Sequence, residues 1–215
     1  ATANNNMGMS GAAPGVRILP VRVLGKCGGY DSDIIAGLRW AAGVTVPGEP
    51  ANPNPARVLN LSLGGSDSCS QAYSDAVAEV GAAPFYALVV AAAGNSTGHA
   101  VGTPANCPGV LGVAGLRHTG SKVGFSDLGP EVGLAAPAGN CVNTEVNSAC
   151  LYPILTTSNN GTRGPNAGGS IWTDSFNITV GTSFATPIVA SAAALVLSAR
   201  PEYTPAQVTT TLKRS

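Results

Sequence analysis

Short runs of branched apolar residues alternate along this chain with stretches in which apolar positions recur every three or four. Residues 17–24, rich in Val, Ile and Leu, predict a strand. Residues 31–42 predict a helix: Ile34, Leu38 and Ala41 share a face, Asp31 or Ser32 can cap the start, and Gly43 ends it. Residues 57–63 predict a second strand and residues 71–80 a second helix. The unbroken apolar run at residues 86–93 predicts a strand buried on both faces of a parallel sheet. Residues 110–114 and 132–135 predict further short strands. Residues 140–175 are Gly-, Asn- and Thr-rich, with a short strand expected at 153–157. Residues 184–199 are nearly all apolar, so a helix buried all round is expected there. Thr204, Pro205 and Gln207 predict the N-cap, first position and capping box of a last helix. Alternating strands and helices predict one α/β domain over residues 1–215, a doubly wound, mostly parallel sheet.

Composition narrows the partners. The 215 residues carry 11 basic and 11 acidic side chains, with no run of one sign, so neither nucleic acid nor an anionic membrane is expected to bind. The longest apolar runs, residues 87–93 and 188–197, fall short of a bilayer span. Five Cys (Cys27, Cys69, Cys107, Cys141 and Cys150) lie scattered in loops with no CxxC pair, which suits disulfides in an oxidising compartment and argues against zinc. The odd count leaves a free thiol or a partner elsewhere. The N-terminal residues resemble neither a signal peptide nor an initiator start, so the chain is expected to begin within a longer precursor.

In parallel sheets, ligands bind where strands end at their carboxyl side. Three Gly-bearing segments leave predicted strands: Gly25-Lys26-Cys27-Gly28-Gly29-Tyr30, Ser62-Leu63-Gly64-Gly65 and Ala91-Ala92-Ala93-Gly94-Asn95-Ser96. A fourth, Gly181-Thr182-Ser183-Phe184-Ala185-Thr186-Pro187, places Ser183 at a helix N-terminus, where free N–H groups favour developing negative charge. Each has a plainer role, as an ordinary turn or, for Ser183, as an N-cap.

In this order the segments resemble those of the subtilisin-like serine peptidases, the subtilases. The likeness also takes in Ala13-Pro14, Val21-Arg22-Val23-Leu24-Gly25 and Ala135-Ala136-Pro137, and so runs along essentially the whole chain. It implies the subtilisin-like three-layer fold and a secreted endopeptidase acting on protein or peptide substrates. Ser183 matches the nucleophile. Asn95 matches the side-chain amide that forms the oxyanion hole with the backbone N–H of Ser183. Ser62, Leu63, Gly64, Ala92, Ala93 and Gly94 match the walls of the pocket before the scissile bond. Cys27, Gly28 and Gly29 match the strand that pairs with extended substrate. Small pocket walls imply broad specificity. Val180, Phe184 and Ile188 depart from the commonest residues at their positions, which bears on substrate preference.

A hydroxyl needs a general base to attack. The family's His-Gly-Thr-His and Asp-Ser/Thr-Gly motifs are absent; the two histidines, His99 and His118, read as surface residues. The N-terminal part of the domain, with both remaining triad members, is therefore expected outside this chain, cut away or on a separate chain, and the 215 residues alone are expected to be inactive. No cofactor is needed for the chemistry. Asn5, in Asn4-Asn5-Asn6-Met7-Gly8, matches a ligand of the family's structural calcium loop, or is a plain Asn-rich turn. Cys27 and Cys69, on loops after neighbouring strands, are expected to pair; Cys141 and Cys150 share one long loop and could pair locally, which leaves Cys107 over or competing for either. Two other readings remain: a catalytically dead peptide-binding relative, which the upstream sequence would decide, and a nucleotide-binding α/β protein, which lacks GxGxxG and Walker sequences.

Overall fold

Helix α1 (Asp31–Ala42) buries Ile34, Leu38, Ala41 and Ala42, the face its apolar spacing predicts. The structure, a computed structural model, describes residues 5–140, 152–173 and 180–215. Gly43 closes α1 in the left-handed conformation, and its N–H returns to the helix's last turn. Tyr30, not Asp31 or Ser32, is the N-cap. The Asp31 carboxylate instead accepts a 3.3 Å bond from the Tyr73 hydroxyl, tying α1 to α2 (Gln71–Gly81). Burial first, then the charge and hydrogen bond of Asp31, hold the Tyr73 hydroxyl above the usual phenol range, so it stays a donor.

Strands β1 (Val58–Leu61), β2 (Leu88–Ala92), β3 (Leu111–Leu116) and β4 (Val132–Pro137) form a parallel sheet in chain order. Every residue of β2 is buried. Its side chains alternate between two cores. Val89 and Ala91 face α1 and α2, whereas Leu88 and Val90 face α3 (Thr182–Ala199) and α4 (Pro205–Arg214). Helices thus cover both sheet faces, the three-layer α/β fold. Thr204 and Gln207 form the capping box of α4, with Pro205 at its start.

Several expectations change. Residues 17–24 have Val21 and Val23 packed toward α1, but they join no ladder among the described residues. Alternation orients side chains inward, yet a strand also needs a hydrogen-bonded neighbour. Ile18, at 85% exposure, lies on the uncovered side. Helix α3 buries one face only, through Thr182, Ala185, Thr186, Val189, Ala190 and Ala193, while Leu195 stays exposed. At 18 residues α3 is also long and apolar enough to cross a membrane by length and composition; here it packs across all four strands of the parallel sheet. The strand expected at 153–157 is β5 (Thr156–Asn159), and it pairs antiparallel with β6 (Ser170–Thr173), a four-residue strand too short for its pattern to predict it.

The disulfide joins Cys69 to Cys107, not Cys27 to Cys69. The loops after β1 and β2 are already zipped together. Gly65 N–H donates to the Thr103 carbonyl at 2.9 Å, and Thr103 N–H to that of Asp67 at 3.1 Å. This zipper brings Cys69 and Cys107 to a Cα separation of 5.0 Å. Cys27 sits apart in the exposed Gly25–Gly28 turn as a free thiol. Cys141 and Cys150 lie outside the described residues. Replacing both Cys69 and Cys107 with Ser is expected to lower the unfolding free energy by about 4 kcal/mol, chiefly through regained loop entropy. Urea unfolding of the full-length protein checks this, and an unmoved midpoint would refute the pairing.

Candidate functional site

The carboxyl ends of β1 and β2 and the N-terminus of α3 meet at one place, and hydrogen bonds fix how. Gly181, not Ser183, is the N-cap of α3, so Ser183 is the second helical residue and its hydroxyl is not spent on capping. Gly181 has φ 146°, a conformation that favours glycine, and its N–H is anchored to the Ala138 carbonyl beyond β4 at 2.8 Å.

Ser62, just past β1, clasps Ser183 from both sides. Its hydroxyl donates to the Ser183 carbonyl at 2.7 Å, and its own carbonyl accepts from the Ser183 hydroxyl at 3.3 Å. Pro187 explains the first bond. It has no N–H, so it cannot make the helical bond back to residue 183, and the orphaned carbonyl takes a side-chain donor instead. Asn60 Nδ2 in turn donates to Ser62 Oγ at 3.1 Å. Ser62→Ala is expected to cost about 1 kcal/mol of stability. The cost should shrink in a Pro187→Ala background, where a helical N–H becomes available. Thermal unfolding of the four variants of that cycle checks this; an equal cost in both backgrounds would refute the substitution of one donor for the other.

Asn95, just beyond β2, faces the same helix end. Its Oδ1 accepts from Thr182 N–H at 2.9 Å and from the Thr182 hydroxyl at 3.0 Å. Two donors on one oxygen fix the carboxamide's sense and turn Nδ2 away from Thr182. A Cβ built on Gly181 would lie 3.4 Å from Asn95 Nδ2 and 3.8 Å from Ser183 N. Both nitrogens thus lie within 4 Å of the point that a side chain at 181 would occupy. Thr182 is fully buried, so its alignment of Asn95 is shielded from water.

The remaining candidates are placed less closely together. Leu63 packs partly against the α1–α2 core, and Gly64 lies against the Thr103 carbonyl, where a Cβ would come to 2.7 Å. Ala92 and Ala93 are buried at the end of β2. Gly94 has φ 115° and abuts the carboxylate of Asp127. Cys27, Gly28 and Gly29 line an open cleft of about 540 Å³ with Arg22, Val23, Leu24 and Tyr30. No hydrogen bond among the described residues joins that cleft to Ser183.

His99 and His118 are exposed, and His118 stacks on Tyr152 at 3.6 Å; neither bonds to Ser183. Asn5 Oδ1 accepts from Met7 N–H at 3.1 Å, an Asn turn. Calcium takes about six to eight oxygens. The Asn5 side-chain oxygen makes its contact here with the backbone of its own turn. Among the described residues no group of three or more His, Cys, Asp or Glu could hold a metal.

Sequence reasoning missed Asp127, a buried carboxylate in the turn after β3, and the use of Ser62's hydroxyl. A lone acidic residue inside segment 123–129, Val-Gly-Phe-Ser-Asp-Leu-Gly, was the available signal for the first.

Comparison with known proteins bears on the fold and the family. The profile of the subtilase family matches residues 1–215. The chain is 43% identical over its whole length to an extracellular protease of Xanthomonas campestris pv. campestris, of which it spans 34%. It is 34% identical, again over its whole length, to Subtilisin Savinase of Lederbergia lenta, of which it spans 66%. Among solved structures, proteases from Pseudoalteromonas arctica superpose with a TM-score of 0.88 at 40% identity, over 98% of this chain and 59% of that one. A cold adapted subtilisin-like serine proteinase superposes at 0.69 with 30% identity, over 96% of this chain and 64% of that one. The chain thus spans about a third of the first of these relatives and under two thirds of both solved structures. Since the match runs from the first residue to the last, and the sheet with its helix-borne serine follows the same fold, this chain belongs to the subtilase family.

Proposed function

We propose that the protein containing this chain is a secreted serine endopeptidase in which Ser183 attacks the substrate carbonyl. The Asn95 side-chain amide and the Ser183 backbone N–H hold the resulting oxyanion. One observation carries the reading: Thr182 holds Asn95 Oδ1, and the other carboxamide atom, Nδ2, and Ser183 N both lie within 4 Å of the point a Cβ on Gly181 would take. Acyl transfer develops negative charge on the former carbonyl oxygen, and fixed donors aimed there favour the transition state over the ground state. The N-terminus of α3 adds the positive end of its dipole. Leaving Ser183 free of capping keeps its hydroxyl available for attack.

The general base and its orienting carboxylate are assigned to sequence outside this chain. The pocket for the residue before the scissile bond is assigned to Ser62, Leu63, Gly64, Ala92, Ala93 and Gly94. Extended substrate pairs with the Cys27–Gly29 edge. Small walls and backbone pairing suit protein or peptide substrates of varied sequence. That relatives are named extracellular proteases supports secretion. The test is labelling of the full-length processed protein with a fluorophosphonate. Modification is expected on Ser183, found by peptide mapping; an unlabelled protein, or a label elsewhere, would overturn the reading.

A further inference from the structure

Asp127 is 3% exposed, and its carboxylate takes no part in the contacts that fix Ser183. It grips the chain on both sides of Asn95. Its Oδ1 accepts from Ser96 N–H at 2.9 Å and from His99 N–H at 3.0 Å, and its Oδ2 accepts from Ser96 N–H at 3.0 Å. Its own N–H donates to the Gly94 carbonyl at 3.0 Å. A Cβ on Gly94 would collide with Oδ2, so only glycine lets the carboxylate come this close.

Two further backbone bonds zip the same segments, from Thr97 N–H to the Phe125 carbonyl and from Leu128 N–H to that of His99. The turn carrying Asp127 is itself fixed. Ser126 Oγ accepts from Gly115 N–H of β3 at 2.9 Å and donates to the Asp127 carbonyl, while Lys122 Nζ donates to the Ser126 carbonyl.

A buried carboxylate needs compensation. Here the donors are backbone N–H groups of residues 96 and 99; among the described residues no cation forms an ion pair with it. Bonds from backbone N–H to an ionised acceptor are among the stronger ones in proteins. They are spent on the one segment whose path decides where the Asn95 carboxamide sits. Thr182 sets the rotation of that carboxamide, and Asp127 sets its origin.

We propose that Asp127 is a positioning residue for the oxyanion hole, acting through Asn95. This rests on the reading of Asn95 as an oxyanion donor. A donor displaced by even a fraction of an ångström loses much of its effect on the transition state while the ground-state complex is little changed. The loss therefore belongs in kcat rather than KM.

The test is a double-mutant cycle in the full-length processed protein, with kcat and KM measured on a chromogenic peptide amide. Asp127→Asn is expected to lower kcat about tenfold, with KM within about twofold, because the lost carboxylate oxygen turns an acceptor for Ser96 N–H into a donor. In an Asn95→Gly background the same change should alter kcat by less than about twofold. Asp127→Ser, whose shorter side chain cannot span both N–H groups, carries the same expectation and serves if Asp127→Asn does not fold. An equal loss in both backgrounds, or a loss confined to KM, would overturn the positioning role and leave the donor reading intact. If Asn95→Gly alone leaves kcat unchanged, the donor reading falls and this proposal with it.

Discussion

Replacing Ser183 with Ala in the full-length processed protein is expected to lower kcat by about a million-fold while leaving the fold in place. The kinetic loss follows from the chemistry. Acyl transfer in two steps requires a nucleophile that bonds covalently to the substrate carbonyl, and a methyl group cannot supply one. Only the weaker effects of donors and binding would remain. The fold should survive because the Ser183 hydroxyl makes a single long bond, to the Ser62 carbonyl at 3.3 Å. The clasp on the Ser183 carbonyl from Ser62 Oγ does not involve the side chain that is removed. Steady-state hydrolysis of a peptide amide, alongside the thermal midpoint, separates the two effects. Turnover within tenfold of the parent would remove Ser183 from the mechanism.

Asn95→Gly is expected to lower kcat about 100- to 1,000-fold with little change in KM, the usual effect of deleting one oxyanion donor. The substrate's ground-state carbonyl hardly uses this donor, so the cost appears as charge develops. A structural penalty accompanies it. Thr182 N–H loses its acceptor inside a buried site, while the Thr182 hydroxyl still reaches the Gly94 carbonyl at 3.3 Å, and leaving a buried donor unpaired costs about 1–3 kcal/mol. Asn95→Asp separates the two. It keeps an acceptor for Thr182 but presents an oxygen where Nδ2 donated, so kcat should fall at least as far while the Thr182 bonds persist. Unfolding free energies and kcat for both variants make the check. A kcat that follows stability rather than the presence of the donor would remove Asn95 from the oxyanion hole.

Both predictions depend on how the site is assembled, and the sequence showed that assembly unevenly. The segment from Gly181 to Pro187 could be read as a helix start carrying a serine, because its Gly, Thr and following apolar run are local signals. What Pro187 does for the site could not. The donor that replaces its missing N–H, Ser62 Oγ, is 121 residues from the carbonyl it serves. Asn95 was found through its motif, but the orientation of its carboxamide comes from Thr182, 87 residues away. Asp127 carried no motif at all. Its role exists only because the loops after β2 and β3 lie side by side.

By itself the sequence determined α1, α2 and α4 and the buried strand β2. It also fixed the family and the residues that stand at the strand ends and at the start of α3. These depend on short-range physics: apolar spacing, capping hydroxyls and glycines that allow a turn. Only the tertiary structure decided that Cys107 rather than Cys27 pairs with Cys69, that residues 17–24 have no strand partner among the described residues, and that α3 leaves one face open. It alone also decided that β6 joins β5 and that Asp127 holds the loop bearing Asn95. Each of these rests on which distant segments touch, and a hydrogen bond or disulfide between them leaves no pattern in either segment alone.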